Sequence, residues 1–186
     1  MNRVVFFALM LVLAGCGRGA PWHATDITGA MPALQFQMTR ASDGAAVTAA
    51  DYRGRVTILY FGYTNCPDVC PATLANLADM LQRLGPDAGK VRVLFVTVDP
   101  GRDTLGVLKK YVAAFAPQVE GLRGDENALA ALARRYRVAY SVTVGPPTTV
   151  MHSSAVFFFD PDGRARLVTL TTDDAAGLAQ DVKRLL

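Results

Sequence analysis

Val56-Thr57-Ile58-Leu59-Tyr60-Phe61-Gly62-Tyr63-Thr64-Asn65-Cys66-Pro67-Asp68-Val69-Cys70-Pro71 is the stretch on which the reading of this 186-residue chain turns. Val56 to Phe61 is a largely apolar run of strand length. Beyond the cysteines, Leu74, Leu77, Leu81 and Leu84 recur at helical spacing. Pro71 suits a helix's first turn, where its missing N–H has no partner to lose. Two thiols four residues apart thus sit where a strand gives way to a helix. Such a pair can close into a disulfide, or its thiolates can grip one soft metal ion.

Working outward, the pattern alternates. Leu34 to Met38 has strand-like alternation, and Ser42-Asp43-Gly44 reads as a turn. Val91 to Val98 is a second buried-strand candidate. Asp103 or Thr104 caps a helix running to about Ala116, and Asp125 begins another with Leu129, Leu132 and Tyr136 on one face. Ala155 to Phe159 is a third apolar strand. The turn Asp160-Pro161-Asp162-Gly163 leads into Ala165–Leu170 as its hairpin partner. A last helix starts at Asp173 or Asp174. Ser141 to Val150 alternates on both sides of Gly145-Pro146-Pro147, which reads as a protruding hairpin with His152 at its base, mobile without metal. Continuous apolar strands alternating with helices argue for an α/β fold around a sheet buried on both faces. In such folds sites gather beyond the carboxyl ends of strands. The cysteine motif and Asp99-Pro100-Gly101-Arg102-Asp103 both fall at such ends.

The composition is that of a folded protein, 51% hydrophobic with a formal net charge of +3. No basic cluster pairs with an aromatic platform, so nothing points to nucleic acid. At the N-terminus, Arg3 precedes a continuous apolar run from Val4 to Leu13, followed by Leu13-Ala14-Gly15-Cys16. The run is shorter than the roughly 20 residues a spanning helix needs, so it reads as an export signal. Leu-Ala-Gly-Cys resembles the lipobox of bacterial lipoproteins. That implies a signal peptide over residues 1–15, lipidation of Cys16, and a flexible tether to residue 30. The folded domain over residues 31–186 then sits on the periplasmic side of a bacterial membrane, anchored by lipid. His23 reads as a solvated tether residue. The chain has three cysteines. With Cys16 assigned to lipid, Cys66 and Cys70 stand alone, which favours a redox or metal role over a structural staple.

Thiolates near a helix N-terminus are stabilised by the dipole and by free N–H groups. A lowered pKa serves disulfide exchange and metal binding alike. Pro67 and Pro71 stiffen the backbone after each cysteine, which suits a preorganised pair. Of the two histidines, His152 lies just before the strand Ala155–Phe159.

The order strand, cysteine motif, helix, strand, helix, then hairpin and final helix looks like a thioredoxin-like domain. In that fold the loop before the third core strand packs against the cysteines, and Met151-His152-Ser153-Ser154 takes that place. Gly62 to Pro71, Val96 to Thr104, and His152-Ser153 are together similar to the signature of the Sco/SenC family of copper chaperones. The resemblance implies a copper site of Cys66, Cys70 and His152. It implies delivery of copper to the binuclear copper centre of cytochrome c oxidase, or preparation of that centre's cysteines, with an upstream copper donor or thiol reductant as a further partner. Soft thiolates suit Cu(I), and an imidazole is compatible with copper in either oxidation state. Two Cys, one His and water also describe a zinc site.

Where the family often has an acidic residue before the histidine, this chain has Met151, which is expected to pack in the core. Leu105 replaces a frequent proline. Asp99 and Asp68 are candidates for supporting the ligands or docking a partner, and Asp103 reads as a helix cap. Tyr63 and Phe61 read as packing residues. The alternative function is a thiol-disulfide oxidoreductase using Cys66 and Cys70, although the usual exchange motif has two intervening residues, not three. A peroxiredoxin-like peroxidase comes third, because Pro-x-x-x-Thr-x-x-Cys is absent.

Overall fold

A computed structural model describes residues 20–186. The expected signal peptide, Cys16 and residues 17–19 lie outside the described residues. In chain order the elements are β1 (Thr25–Asp26), β2 (Gln37–Arg40), β3 (Ala46–Thr48), β4 (Val56–Gly62), α1 (Val69–Leu84), β5 (Val91–Thr97), α2 (Leu105–Val112) and β6 (Val119–Arg123). They continue with α3 (Glu126–Arg135), β7 (Tyr140–Thr143), β8 (Thr149–His152), β9 (Val156–Phe159), β10 (Ala165–Thr169) and α4 (Ala175–Leu185). Among these residues no helix is long and apolar enough to cross a membrane.

One mixed sheet runs in the order β1-β10-β9-β4-β5-β6-β2-β3, with β7 and β8 pairing separately. β4 is parallel to β5, and β5 to β6, while β9 runs antiparallel to β4. The central strands are buried on both faces, and their alternation divides two cores. Val56, Ile58 and Tyr60 of β4, Val93 and Phe95 of β5, and Val156 and Phe158 of β9 pack with Leu74 and Leu77 of α1 and Leu178 and Val182 of α4. Leu59 and Phe61, Leu94 and Val96, and Phe157 and Phe159 face the other way, against Leu129, Leu132 and Tyr136 around α3. Each such side chain contributes about 1.5–3 kcal/mol on burial. A one-residue slip of β4 would exchange its two sets of partners.

The structure departs from the sequence expectations at several points. The segment before residue 31 is not all tether. Thr25 and Asp26 pair with Val168 and Leu167 of β10, and Ala24 is buried. His23 remains exposed, as expected, but it is not a free linker residue. Its N–H donates to Asp181 (2.9 Å), its ring Nδ1 lies 3.1 Å from the same carboxylate, and the Ala24 N–H donates there too (2.8 Å). Asp181 is fully buried, so these partners are what make its burial tolerable. Helix α2 stops at Val112, short of the expected Ala116. Strand β6 was not foreseen, because Val119-Glu120-Gly121-Leu122-Arg123 is short and carries two charges.

Candidate metal centre

The cysteines sit where β4 ends and α1 begins. Val69 opens α1, so Cys70 and Pro71 fall in its first turn. Cys70 is fully buried and Cys66, in the preceding loop, is half-buried. The Cys70 N–H, one of the donors a helix start leaves without an intrahelical partner, donates to Cys66 Sγ at 3.3 Å. Gly62 permits the close approach. A Cβ there would stand 2.5 Å from the Phe95 ring and 3.0 Å from Cys70 Sγ.

His152 closes β8, opposite Tyr140 of β7. Its Nε2 lies 3.3 Å from Cys70 Sγ, and its Nδ1 lies 2.9 Å from the Ser153 carbonyl. A carbonyl can only accept, so Nδ1 carries a proton and donates. With Nδ1 so engaged, Nε2 is the ring nitrogen turned towards the thiols. The imidazole is flanked edge-on by Tyr63 and Tyr60, with centroids at 5.8 and 6.2 Å. The ligand-type atoms of Cys66, Cys70 and His152 all lie within 4.8 Å of one another, and they form the one such group found among the described residues. An open cleft of about 390 Å³, lined by Cys66, Asp68, Val69 and His152, leads to them.

The two thiols differ electrostatically. Burial pushes Cys66 up, but hydrogen bonds from the Cys70 thiol and backbone outweigh it, and its pKa falls below the ordinary value. Burial pushes Cys70 up to about 12. Burial also raises Tyr60 and Tyr111, followed by the charge a Cys70 thiolate brings. Both phenolic hydroxyls are buried without a hydrogen-bond partner.

The expected residues divide. Cys66, Cys70 and His152 converge. Asp68 is exposed on the cleft and makes no cap bond with its side chain. Asp99 is buried and pairs with Arg102, whose guanidinium lies 6.0 Å from the Tyr63 ring centroid. It therefore faces the site through two intermediaries rather than directly. Asp103 is not the helix cap. Thr104 fills that role, accepting from the Val107 N–H, while Asp103 turns inward to Thr64 and Thr97. Met151 is not core: it is 68% exposed. Strand alternation forces this, since His152 points in and its neighbour must point out. Tyr60 and Tyr111 were missed. For Tyr60 the signal available was a polar-tipped aromatic inside the apolar run of β4, and Tyr111 in α2 offered none.

With this geometry in place, the comparison with known sequences is decisive: the SCO1/SenC family pattern matches residues 27–186. The chain belongs to the SCO1/SenC family. A mitochondrial SCO2 homolog of Bos taurus is 36% identical over 194 residues, spanning 89% of this chain and 72% of that protein. The copper-bound structure of Bradyrhizobium japonicum ScoI is 38% identical, with a TM-score of 0.73 over 83% of this chain and 99% of that one. The apo Sco1 solution structure from Thermus thermophilus is 30% identical, with a TM-score of 0.81 over 90% of this chain and all of the other. The thioredoxin-like Sco fold expected from the sequence is thereby shown, and β7–β8 is its inserted hairpin.

Proposed function

We propose that this SCO1/SenC protein is a copper-binding metallochaperone of cytochrome c oxidase assembly, holding its cargo on Cys66, Cys70 and His152. The observation that carries the reading is the orientation of His152. The Ser153 carbonyl accepts a hydrogen bond from Nδ1–H, so Nε2 faces Cys70 Sγ with its lone pair. A simple disulfide exchanger does not need such a fixed lone pair. Two soft sulfurs and one imidazole suit Cu(I). Three protein donors are one short of a closed structural zinc site, and zinc here would need a water to complete its tetrahedron.

The asymmetry of the thiols gives them separate tasks. Cys66, half-buried with a lowered pKa, is the first to offer a thiolate and the first reachable by an incoming or departing cargo ion. Cys70 and His152, anchored on α1 and β8, form the rigid side of the site. Binding displaces the Cys70 proton, so affinity rises with pH. The binuclear copper centre of cytochrome c oxidase is the destination that the family implies. Lipidation at Cys16 would hold the domain at the periplasmic membrane surface.

Titration of the reduced chain with Cu(I) against a competing chelator tests the reading. One tight site is expected, weakened at least about 100-fold in Cys66→Ala, Cys70→Ala and His152→Ala, beyond the range seen for supporting residues. A His152→Ala variant that binds like wild type refutes the three-ligand site.

A second reading has its own observation. An accessible thiol of lowered pKa beside a buried one of raised pKa is the pairing of a nucleophile with a resolving thiol. If His152→Ala still reduces a disulfide substrate at the wild-type rate while no variant binds Cu(I) better than a simple dithiol, thiol-disulfide exchange is the function.

A further inference from the structure

Asp103 is 1% exposed, yet among the described residues none of the ion pairs involves it. The neighbouring Arg102 pairs with Asp99 instead. A buried carboxylate needs full hydrogen bonding to be tolerated, and its donors come from two elements. Its Oδ2 accepts the Thr64 N–H (3.0 Å) and the Thr97 hydroxyl (2.6 Å), and its Oδ1 accepts the Thr64 hydroxyl (2.6 Å). Thr97 is fully buried at the carboxyl end of β5 and belongs to the rigid sheet. Thr64 is two residues before Cys66, in the loop between β4 and α1. Asp103 itself is held from behind, its N–H donating to the Asp99 carbonyl at 2.9 Å.

We propose that Asp103 is a positioning residue that clamps the Cys66 loop to the β5 end of the sheet, so that Cys66 is already in ligand geometry before the metal arrives. The inference rests on the copper-site reading above. Two of the three bonds go to one residue of the loop, through both its backbone and its side chain, which fixes the direction in which the loop leaves β4. Such bonds to an ionised acceptor are about twice as strong as neutral ones. Cys70 and His152 take their places from a helix and a strand. Cys66 has neither, and the clamp supplies the missing anchor.

The test uses the purified full chain, reduced, with Cu(I) alone as probe against a chelator. Asp103→Asn removes the charge and an acceptor, and Thr64→Val removes only the hydroxyl bond, in case the first variant fails to fold. Each is expected to weaken Cu(I) binding about 10-fold or more, the range for residues that orient ligands. Thr64→Ser, which keeps the hydroxyl, restores the affinity. In metal-free protein, amide hydrogen exchange of Thr64 and Cys66 rises at least about tenfold in both weakened variants, while Leu59 to Phe61 of β4 keep their protection. The proposal is overturned if both variants bind Cu(I) like wild type, or if protection falls equally in β4, which makes Asp103 a general strut of the fold. Failure of the copper reading shows separately, as a wild-type chain that binds no better than Cys66→Ala. Loop-confined exchange in the variants then still reports the clamp.

Discussion

Replacing Gly62 by alanine puts one methyl group where the sheet, α1 and the thiol meet. The added Cβ would lie 2.5 and 2.9 Å from two carbons of the Phe95 ring and 3.0 Å from Cys70 Sγ. Carbon atoms pack at about 3.5–4.0 Å, so the ring must retreat by roughly 1 Å. It has nowhere to go. Phe95 is fully buried between Tyr60 and Tyr111, with ring centroids at 5.9 and 5.4 Å. Overpacking of this kind costs about 1–3 kcal/mol. Loss of glycine's freedom in the unfolded chain offsets about 0.4–1 kcal/mol of that. The net is about 1.3 kcal/mol, which lowers the melting temperature of a domain this size by roughly 3–5 °C. Gly106 in α2 is the control, because a Cβ there meets nothing within 4 Å. Gly106→Ala should gain about 0.5–1 kcal/mol from helix propensity alone and melt slightly higher. Calorimetry on the reduced chain reads both. A Gly62→Ala variant that melts at or above wild type refutes the claim that glycine at this position is required by packing against Phe95 and Cys70.

Two further outcomes follow from the charge and hydrogen-bond pattern. Because the Cys66 pKa is lowered and that of Cys70 raised to about 12, rising pH exposes thiolate at Cys66 first. Brief alkylation of the reduced, metal-free chain near pH 8, read by peptide mass spectrometry, should label Cys66 well ahead of Cys70, and equal labelling contradicts the assigned asymmetry. Asp181→Ala leaves the His23 and Ala24 N–H groups without their acceptor. At about 1–3 kcal/mol for an orphaned buried donor, the variant should lose stability in denaturant melts and become sensitive to proteolysis near residues 20–26. Protection equal to wild type there would show that the N-terminal strand is held by β10 alone.

Much of the architecture was legible because it is written in short-range periods. The run Val56–Phe61, the leucines of α1 and the turn at Asp160–Gly163 each declare an element within a few residues. The cysteine pair declared itself by its spacing and by the absence of any other cysteine once Cys16 is set aside. His152 followed from the family resemblance, and strand alternation alone required that Met151 and His152 face opposite ways. What failed to show was whatever depends on a distant partner. The tether was read too long because nothing in Trp22-His23-Ala24 announces Asp181, 158 residues away from His23.

By itself, then, the sequence determined the order of the central strands and helices apart from β1 and β6, the two thiols at a strand-to-helix junction, and the candidate third ligand. Only the tertiary structure decided how they work together. It set Cys70 Sγ against His152 across 82 residues of chain, turned Asp103 from a supposed cap into a buried anchor for Thr64 39 residues earlier, and left Cys66 accessible while sealing Cys70. The physical reason is that periodicity is a property of neighbours along the chain. Burial and hydrogen bonding to a particular partner are properties of the packed core, and these set the charge state and direction of each ligand.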